Sequence, residues 1–315
     1  MLRRKALVIA TLSAAALISA CGGSSTSEQV PAPTPDIVAL AQATPDLSIL
    51  VEAVVSAGLV NTLKAAGPYT VFAPTNAAFA ALLTELGVTK DQLLANKPLL
   101  TAVLTYHVLP AKVASSAIPF GKAITTVQGS ILKIDSVSGA VVITDGRNRT
   151  SKVVTADVAA SNGVVHIVDK VILPADKNIV QTAQALPQFS ILVEAVVAAN
   201  LQGTLSGTGP FTVFAPTNTA FANLLTELGV TKAALLADTA LLTKVLTYHV
   251  VAGRVLKADV PLNTPIKTVQ GDTLTVGSTL AITDQRGRTS NITGTDVLTS
   301  NGVIHVIDKV ILPKP

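Results

Sequence analysis

The chain has 315 residues, about twice the length of a common single domain, so two domains of ordinary size are expected. Hydrophobic residues make up 49% and charged residues 13% of it, with 20 Gly and 17 Pro, which excludes a disordered chain and a collagen-like one. One Cys excludes an intrachain disulfide and a thiolate zinc site, and the formal charge of +4 is small.

Met1-Leu2-Arg3-Arg4-Lys5 opens the chain, an apolar run follows from Ala6 to Ala20, and small residues precede Cys21. This is the pattern of an export signal, and the run is too short for a comfortable membrane span. Ile18-Ser19-Ala20-Cys21 resembles the bacterial lipoprotein signal, which implies removal of residues 1–20 and lipidation of Cys21. That leader carries three positive charges and no acid, so the remaining chain carries 4 − 3 = +1. The basic character belongs largely to the leader, and a nucleic-acid partner gains no support from it. Residues 21–35, with Gly22 to Pro35 reading GGSSTSEQVPAPTP, have nothing to bury and are expected to be a flexible tether. Gly22 is not an acidic retention signal, which favours the outer membrane or cell surface as the destination.

A duplication occupies the rest. With Asp36 set opposite Asn178, 58 of the 94 positions to Gly129 and Gly271 are identical. The offset then falls from 142 to 139, because Ser130 to Asp145 is three residues longer than Asp272 to Asp284, and an insertion there marks a surface hairpin. Two domains are expected, residues 36–174 and 178–315, in contact or nearly so because so few residues join them.

Within a copy, Ser48 to Ala57 places Ile49, Leu50, Ala53 and Val54 on one stripe and ends before Gly58, predicting an amphipathic helix. Pro68 to Ala73 is a short β-rich run. Thr75-Asn76 then supplies a cap for a helix carrying Phe79, Leu82, Leu83 and Leu86, stopped by Gly87. Asn96, or Asp238 in the second copy, caps another helix that runs to Tyr106-His107. From there the pattern is all strand. Val141 to Thr144 and Lys152 to Val154 flank a turn at Asp145 to Arg149, where Asn148 is replaced by Gly287 in the second copy, a swap suited to positive φ. Asn162-Gly163 and Asn301-Gly302 are hairpin signals before apolar runs. Helices first and paired strands later argue an α+β fold, with an antiparallel sheet or sandwich and helices on one side.

Thr70-Val71-Phe72-Ala73-Pro74-Thr75-Asn76 with Phe79, the Tyr106-His107 pair, and Asn162 to Asp169 resemble the signature motifs and central Tyr-His of the fasciclin domain. The second copy repeats them at Thr212 to Asn218 with Phe221, Tyr248-His249, and Asn301 to Asp308. The resemblance covers nearly all of both halves. It implies tandem domains, each a β-wedge or sandwich of about seven strands with a helical layer, extracellular and acting in cell adhesion or matrix contact.

Chemistry finds little support. The four His fall in matched pairs, 107 with 249 and 166 with 305, and no nucleophile-elbow, zinc-protease or P-loop motif is present. No enzyme, cofactor or metal is expected. His166 and His305 lie in runs apolar on both faces, which predicts buried, hydrogen-bonded histidines. In animal members of the family the Tyr-His pair and an Asp-Ile pair are linked to receptor recognition. Carried over by position these are Tyr106, His107, Tyr248, His249, Asp157 and Asp296, with Val158 and Val297 in the Ile place. The plainer reading of the Tyr-His pairs is as core residues, since His107 follows a helix whose other residues are core-like, and of the two acids that they cap or terminate a strand. Arg147, Arg149, Arg286 and Arg288 stand at alternate positions on the hairpin tips, a weaker candidate for binding acidic glycans. The expectation is a lipid-anchored, exported adhesion or interaction module with a protein or glycan partner. The competing expectations are a structural or regulatory envelope protein with a periplasmic partner and, least favoured, a surface enzyme using His107, Asp157 and His166.

Overall fold

The computed structural model describes residues 34–315; the leader, Cys21 and nearly all of the tether lie outside the described residues. In the first half, α1 (Ile37–Gln42), α2 (Ser48–Ser56) and α3 (Val60–Lys64) precede β1 (Tyr69–Pro74). Three helices follow, α4 (Asn76–Leu86), α5 (Lys90–Ala95) and α6 (Lys97–Tyr106). The remaining strands are β2 (Val108–Leu109), β3 (Ala123–Thr125), β4 (Ile131–Val137), β5 (Ala140–Thr144), β6 (Thr150–Ala160) and β7 (Gly163–Val168).

The second half repeats this order. Its helices are α7 (Ile179–Gln184), α8 (Ser190–Ala198), α9 (Gln202–Leu205), then α10 (Asn218–Leu228), α11 (Lys232–Ala237) and α12 (Thr239–Tyr248). Its strands are β8 (Phe211–Pro216), β9 (Val250–Ala252), β10 (Pro265–Lys267), β11 (Thr273–Val276), β12 (Ala281–Thr283), β13 (Thr289–Thr299) and β14 (Gly302–Ile307).

Local chemistry sets the helix ends. The Thr75 hydroxyl accepts from the Ala78 N–H at 3.1 Å and starts α4, while Gly87, at φ 64°, closes it. Asn96 and Asp238 accept from Leu99 and Leu241 at 3.2 and 2.9 Å and start α6 and α12. The insertion between the copies falls in the β4–β5 hairpin, whose turn is Ser138-Gly139.

Each half folds one seven-stranded sheet, in the order β2-β1-β7-β6-β5-β4-β3 for the first. The sheet is mixed rather than purely antiparallel: β1 and β7 run parallel, Tyr69 opposite Gly163 through Pro74 opposite Val168. Parallel neighbours need a long crossover, and three helices and five strands of chain separate these two. The eleven-residue β6 belongs to two arms of the sheet, because Thr150 to Lys152 pair with β5 and Val153 to Ala160 with β7. Register shifts at Val153 to Val158 bend it.

Alternation along β1 and β7 serves two cores. Val71, Ala73 and Val165 face the helices together with Leu50, Phe79 and Leu100. Phe72 and Val168 point the other way, into a core closed by Tyr106 at the end of α6 and by Leu132, Ile134 and Ile143 from the second arm. Strands buried on both faces read as near-continuous apolar runs, as these do.

Asn162 fastens the helical layer to the sheet. Its Nδ2 donates to Leu63 O at 2.8 Å and Ala65 O at 3.0 Å, and its Oδ1 accepts from the Ile37 N–H at 3.0 Å. Asn301 repeats all three bonds with Leu205, Gly207 and Ile179. The following residue must be Gly, since a Cβ at Gly163 would lie 2.1 Å from Tyr69 O. Replacing Asn162 by Ala strands one buried donor and two carbonyls and is expected to cost on the order of 3 kcal/mol. Chemical denaturation of Asn162→Ala beside the parent checks this, and a loss well below 1 kcal/mol contradicts the assignment.

Candidate functional site

The Tyr-His pairs are core pieces. Tyr106 and Tyr248 are fully buried, with hydroxyls donating to Ile131 O at 2.7 Å and Thr273 O at 2.9 Å. Burial raises both phenol pKa values, first by desolvation. His107 Nδ1 donates to Val103 O at 2.7 Å, one turn back in α6, and its Nε2 accepts from the Ile172 N–H at 3.1 Å. His249 does the same with Val245 at 2.8 Å and Ile311 at 3.1 Å. Desolvation lowers both imidazoles to about 4, so they are neutral near pH 7. Side chains held inside the fold in this way offer nothing to a partner, so these four candidates drop out of any surface site.

His166 and His305 are buried, as the apolar runs predict, and stack on Phe72 and Phe214 at 5.7 and 5.6 Å between ring centres. His166 Nε2 donates to Val113 O at 2.9 Å while its Nδ1 accepts from the Asp157 N–H at 3.2 Å. His107 shares none of these partners, so the trio that an enzyme would need is not assembled. Among the described residues no three His, Cys, Asp or Glu gather in a metal-ligating group, and no helix is long and apolar enough to cross a membrane.

The two acids behave differently from each other. Each sits at positive φ, 60° for Asp157 and 61° for Asp296, inside the bulge of β6 or β13. Each aims its carboxylate at the segment that crosses beside the bulge. Asp157 Oδ1 accepts from the Ser115 N–H at 2.8 Å and Oδ2 from the Ser115 hydroxyl, and the carboxyl is held below its ordinary range chiefly by that hydroxyl. It remains exposed. Asp296 Oδ1 accepts from the Lys257 N–H at 2.7 Å, but its Oδ2 takes Lys133 of the first half at 3.0 Å, and the residue is only 6% exposed. Neither acid caps a strand end; both pin a crossing loop to a bulge.

Lys133 belongs to the contact between the halves that their short connection predicts, through residues the sequence did not single out. Its Nζ also lies 3.1 Å from Asp135. Asn148, at φ 62° on the β5–β6 turn, accepts from the Leu298 N–H at 2.6 Å and donates to Leu298 O at 3.0 Å. Ile131 packs with Leu256, Leu298 and Val303 of the second half. Both halves lie in one compact unit, residues 34–315.

Three of the paired arginines are engaged internally, while Arg286 is exposed. Arg149 bonds buried Asp145 at 2.9 Å, Glu85 at 2.8 Å and Val171 O at 2.7 Å, and Arg147 pairs with Asp176 at 3.1 Å. Arg288 donates to Val310 O at 2.8 Å and Arg286 to Pro313 O at 3.1 Å. Two free guanidinium forks on one face, which a sulfate or carboxylate would require, are not what this arrangement presents.

Two α+β units, each with a helical layer and a bent seven-stranded sheet, and twice-repeated motifs at the parallel strand pair define a tandem domain protein of the fasciclin class. The fasciclin-domain family model matches residues 45–174 and 187–313, and the chain belongs to this family. It is 32% identical over 253 residues to transforming growth factor-beta-induced protein ig-h3 of Sus scrofa, covering 80% of this chain and 35% of that protein. Protein sll1483 of Synechocystis sp. is 43% identical over 141 residues, 44% of this chain and 73% of that one. A solved FAS1 domain pair from the insect cell adhesion molecule fasciclin I aligns with a TM-score of 0.41 at 18% identity, over 85% of this chain and 97% of that one. The chain spans about a third of the length of the animal ig-h3 relatives it matches.

The neutral histidines predict a pH effect. Their folded pKa of about 4 lies below the unfolded 6.5, so the unfolded chain binds more protons in that window and stability falls as pH drops from 6.5 toward 4. Each of His107 and His249 contributes on the order of 3 kcal/mol to that loss. Denaturant midpoints at pH 7.5 and 4.5 check it; equal midpoints would sink the buried neutral assignment.

Proposed function

We propose that this protein is an exported, non-catalytic interaction module that is lipid-anchored to the cell envelope through Cys21 and binds a protein or glycan partner at a cell surface or matrix. Adhesion is the role that the family resemblance implies, and the first domain is the one we assign to the partner. The observation that carries this reading is the unequal state of two equivalent acids: Asp157 presents an ionised carboxylate to solvent, while Asp296 is covered and paired. A fixed carboxylate, oriented by Ser115 and by a bulge that β6 holds rigidly against β7, suits a partner offering a cationic side chain or a polar N–H. The tether gives about 14 residues, up to roughly 50 Å when extended, which leaves the domain pair free to reach past the membrane surface.

Two measurements test it. Saturable binding of the exported chain to matrix proteins and glycans is expected to fall at least about tenfold in Asp157→Asn, the scale of one lost charge-assisted hydrogen bond. Binding unchanged by that substitution moves the site elsewhere, and binding only to the cell's own envelope proteins transfers the partner to the periplasm. Separately, Cys21→Ala is expected to shift the protein from the membrane to the soluble fraction; unaltered fractionation refutes the anchor.

A further inference from the structure

The contact between the domains is one-directional. The first domain contributes the end of its sheet, with Lys122, Ile131, Lys133 and Asn148, and the second contributes the loop and bulge around Asp296. A contact of this kind uses two different patches, and a duplicated protein carries both patches twice. One copy of each is therefore left over, on the far ends of the pair, where it could take a second molecule and start an open chain.

The leftover copies have lost the chemistry. On the second domain, the positions equivalent to Lys122, Ile131, Lys133 and Asn148 are Thr264, Thr273, Thr275 and Gly287. On the first, those equivalent to Leu256, Asp259 and Leu298 are Ala114, Ala117 and Ala159. Only Asp296 and Val303 keep their type, as Asp157 and Val164. Seven of these nine positions thus differ between the copies, and in all seven the docked copy holds the larger or charged residue.

Each replacement removes a specific bond. Gly287 cannot reproduce the paired bonds of Asn148 to the Leu298 backbone at 2.6 and 3.0 Å. Thr275 cannot reach an acid as Lys133 reaches Asp296. At the other end, Asp157 Oδ2 already accepts from the Ser115 hydroxyl and stays exposed, so a lysine arriving there gains less than Lys133 gains at the buried Asp296. Ala114 and Ala159 withdraw the apolar floor that Leu256 and Leu298 offer Ile131.

We infer that the two domains dock in a fixed, single-direction arrangement whose specificity lies in these diverged positions, and that blunting of the unused copies keeps the chain from associating head to tail. The pair acts as one rigid body with a closed joint, and the acid face of the second domain is reserved for the first.

The test uses the exported chain with Cys21→Ser, so that cysteines can be introduced for spin labels at the exposed Val55 of α2 and Val197 of α8. A single narrow interdomain distance is expected, lost when Lys133→Ala and Asn148→Gly are combined; a broad distance in the parent overturns the fixed joint. The second arm restores the lost chemistry, with Thr273→Ile, Thr275→Lys and Gly287→Asn on one end and Ala114→Leu, Ser115→Lys and Ala159→Leu on the other. Sedimentation should show the parent as one species at all concentrations and the folded graft as a concentration-dependent series that Asp157→Asn abolishes. A parent that associates, or a folded graft that does not, refutes the blunting.

Discussion

The parallel pairing of β1 with β7 is the constraint on which each domain depends. It joins residues almost a hundred positions apart, so it forms only when everything between them has been gathered, and each of its ends is locked by a side chain. At one end Asn162 bonds α1 and the segment after α3. Beyond the other end, His107 and Asp145 accept from the Ile172 and Leu173 N–H groups at 3.1 and 2.9 Å, drawing the chain after β7 under the helices. The family's signature positions are these fasteners and the strands they fasten. Their recurrence in both copies is therefore explained by folding before any binding role is invoked.

This has a consequence for where function can lie. Tyr106, His107, Tyr248 and His249 are spent on the core, and three arginines are spent on the turns and on the chain that follows the last strand of each sheet. The proposed partner site lies on the outer rim that remains, at the bulge of β6 with Asp157. A bulge re-aims a side chain that a regular strand would turn into the next residue's face, and positive φ at an Asp tolerates the geometry. The same bulge in β13 shows what the geometry can hold, since Asp296 there takes a lysine at 3.0 Å.

Duplication alone would have produced two equal domains. Part of the difference falls where one copy lies against the other, in the segments after α6 and α12 and in the sheet ends. Core positions tolerate little change because packing is close to crystalline, whereas rim residues can drift or specialise. Asymmetry of surface on a common frame lets two near-identical domains have unequal roles, one open at its acid and one closed.

The sequence by itself determined the duplication, the α+β order, the helix caps at Thr75 and Asn96, the turn at Asn148 and the buried state of His166, because each rests on local periodicity or on a residue's own conformational preference. It misjudged the sheet as wholly antiparallel, since strand direction between distant segments has no local signal. Tyr106 and His107 are binding candidates only by family analogy, and the apolar helix before them already points inward, where they lie. Only the tertiary structure decided that Lys133 and Asn148 meet Asp296 and Leu298, some 150 residues or more away. The physical reason is that a docking surface is a property of two folded bodies: the spacing of residues along the chain encodes each body, while the match between their rims exists only once both have formed.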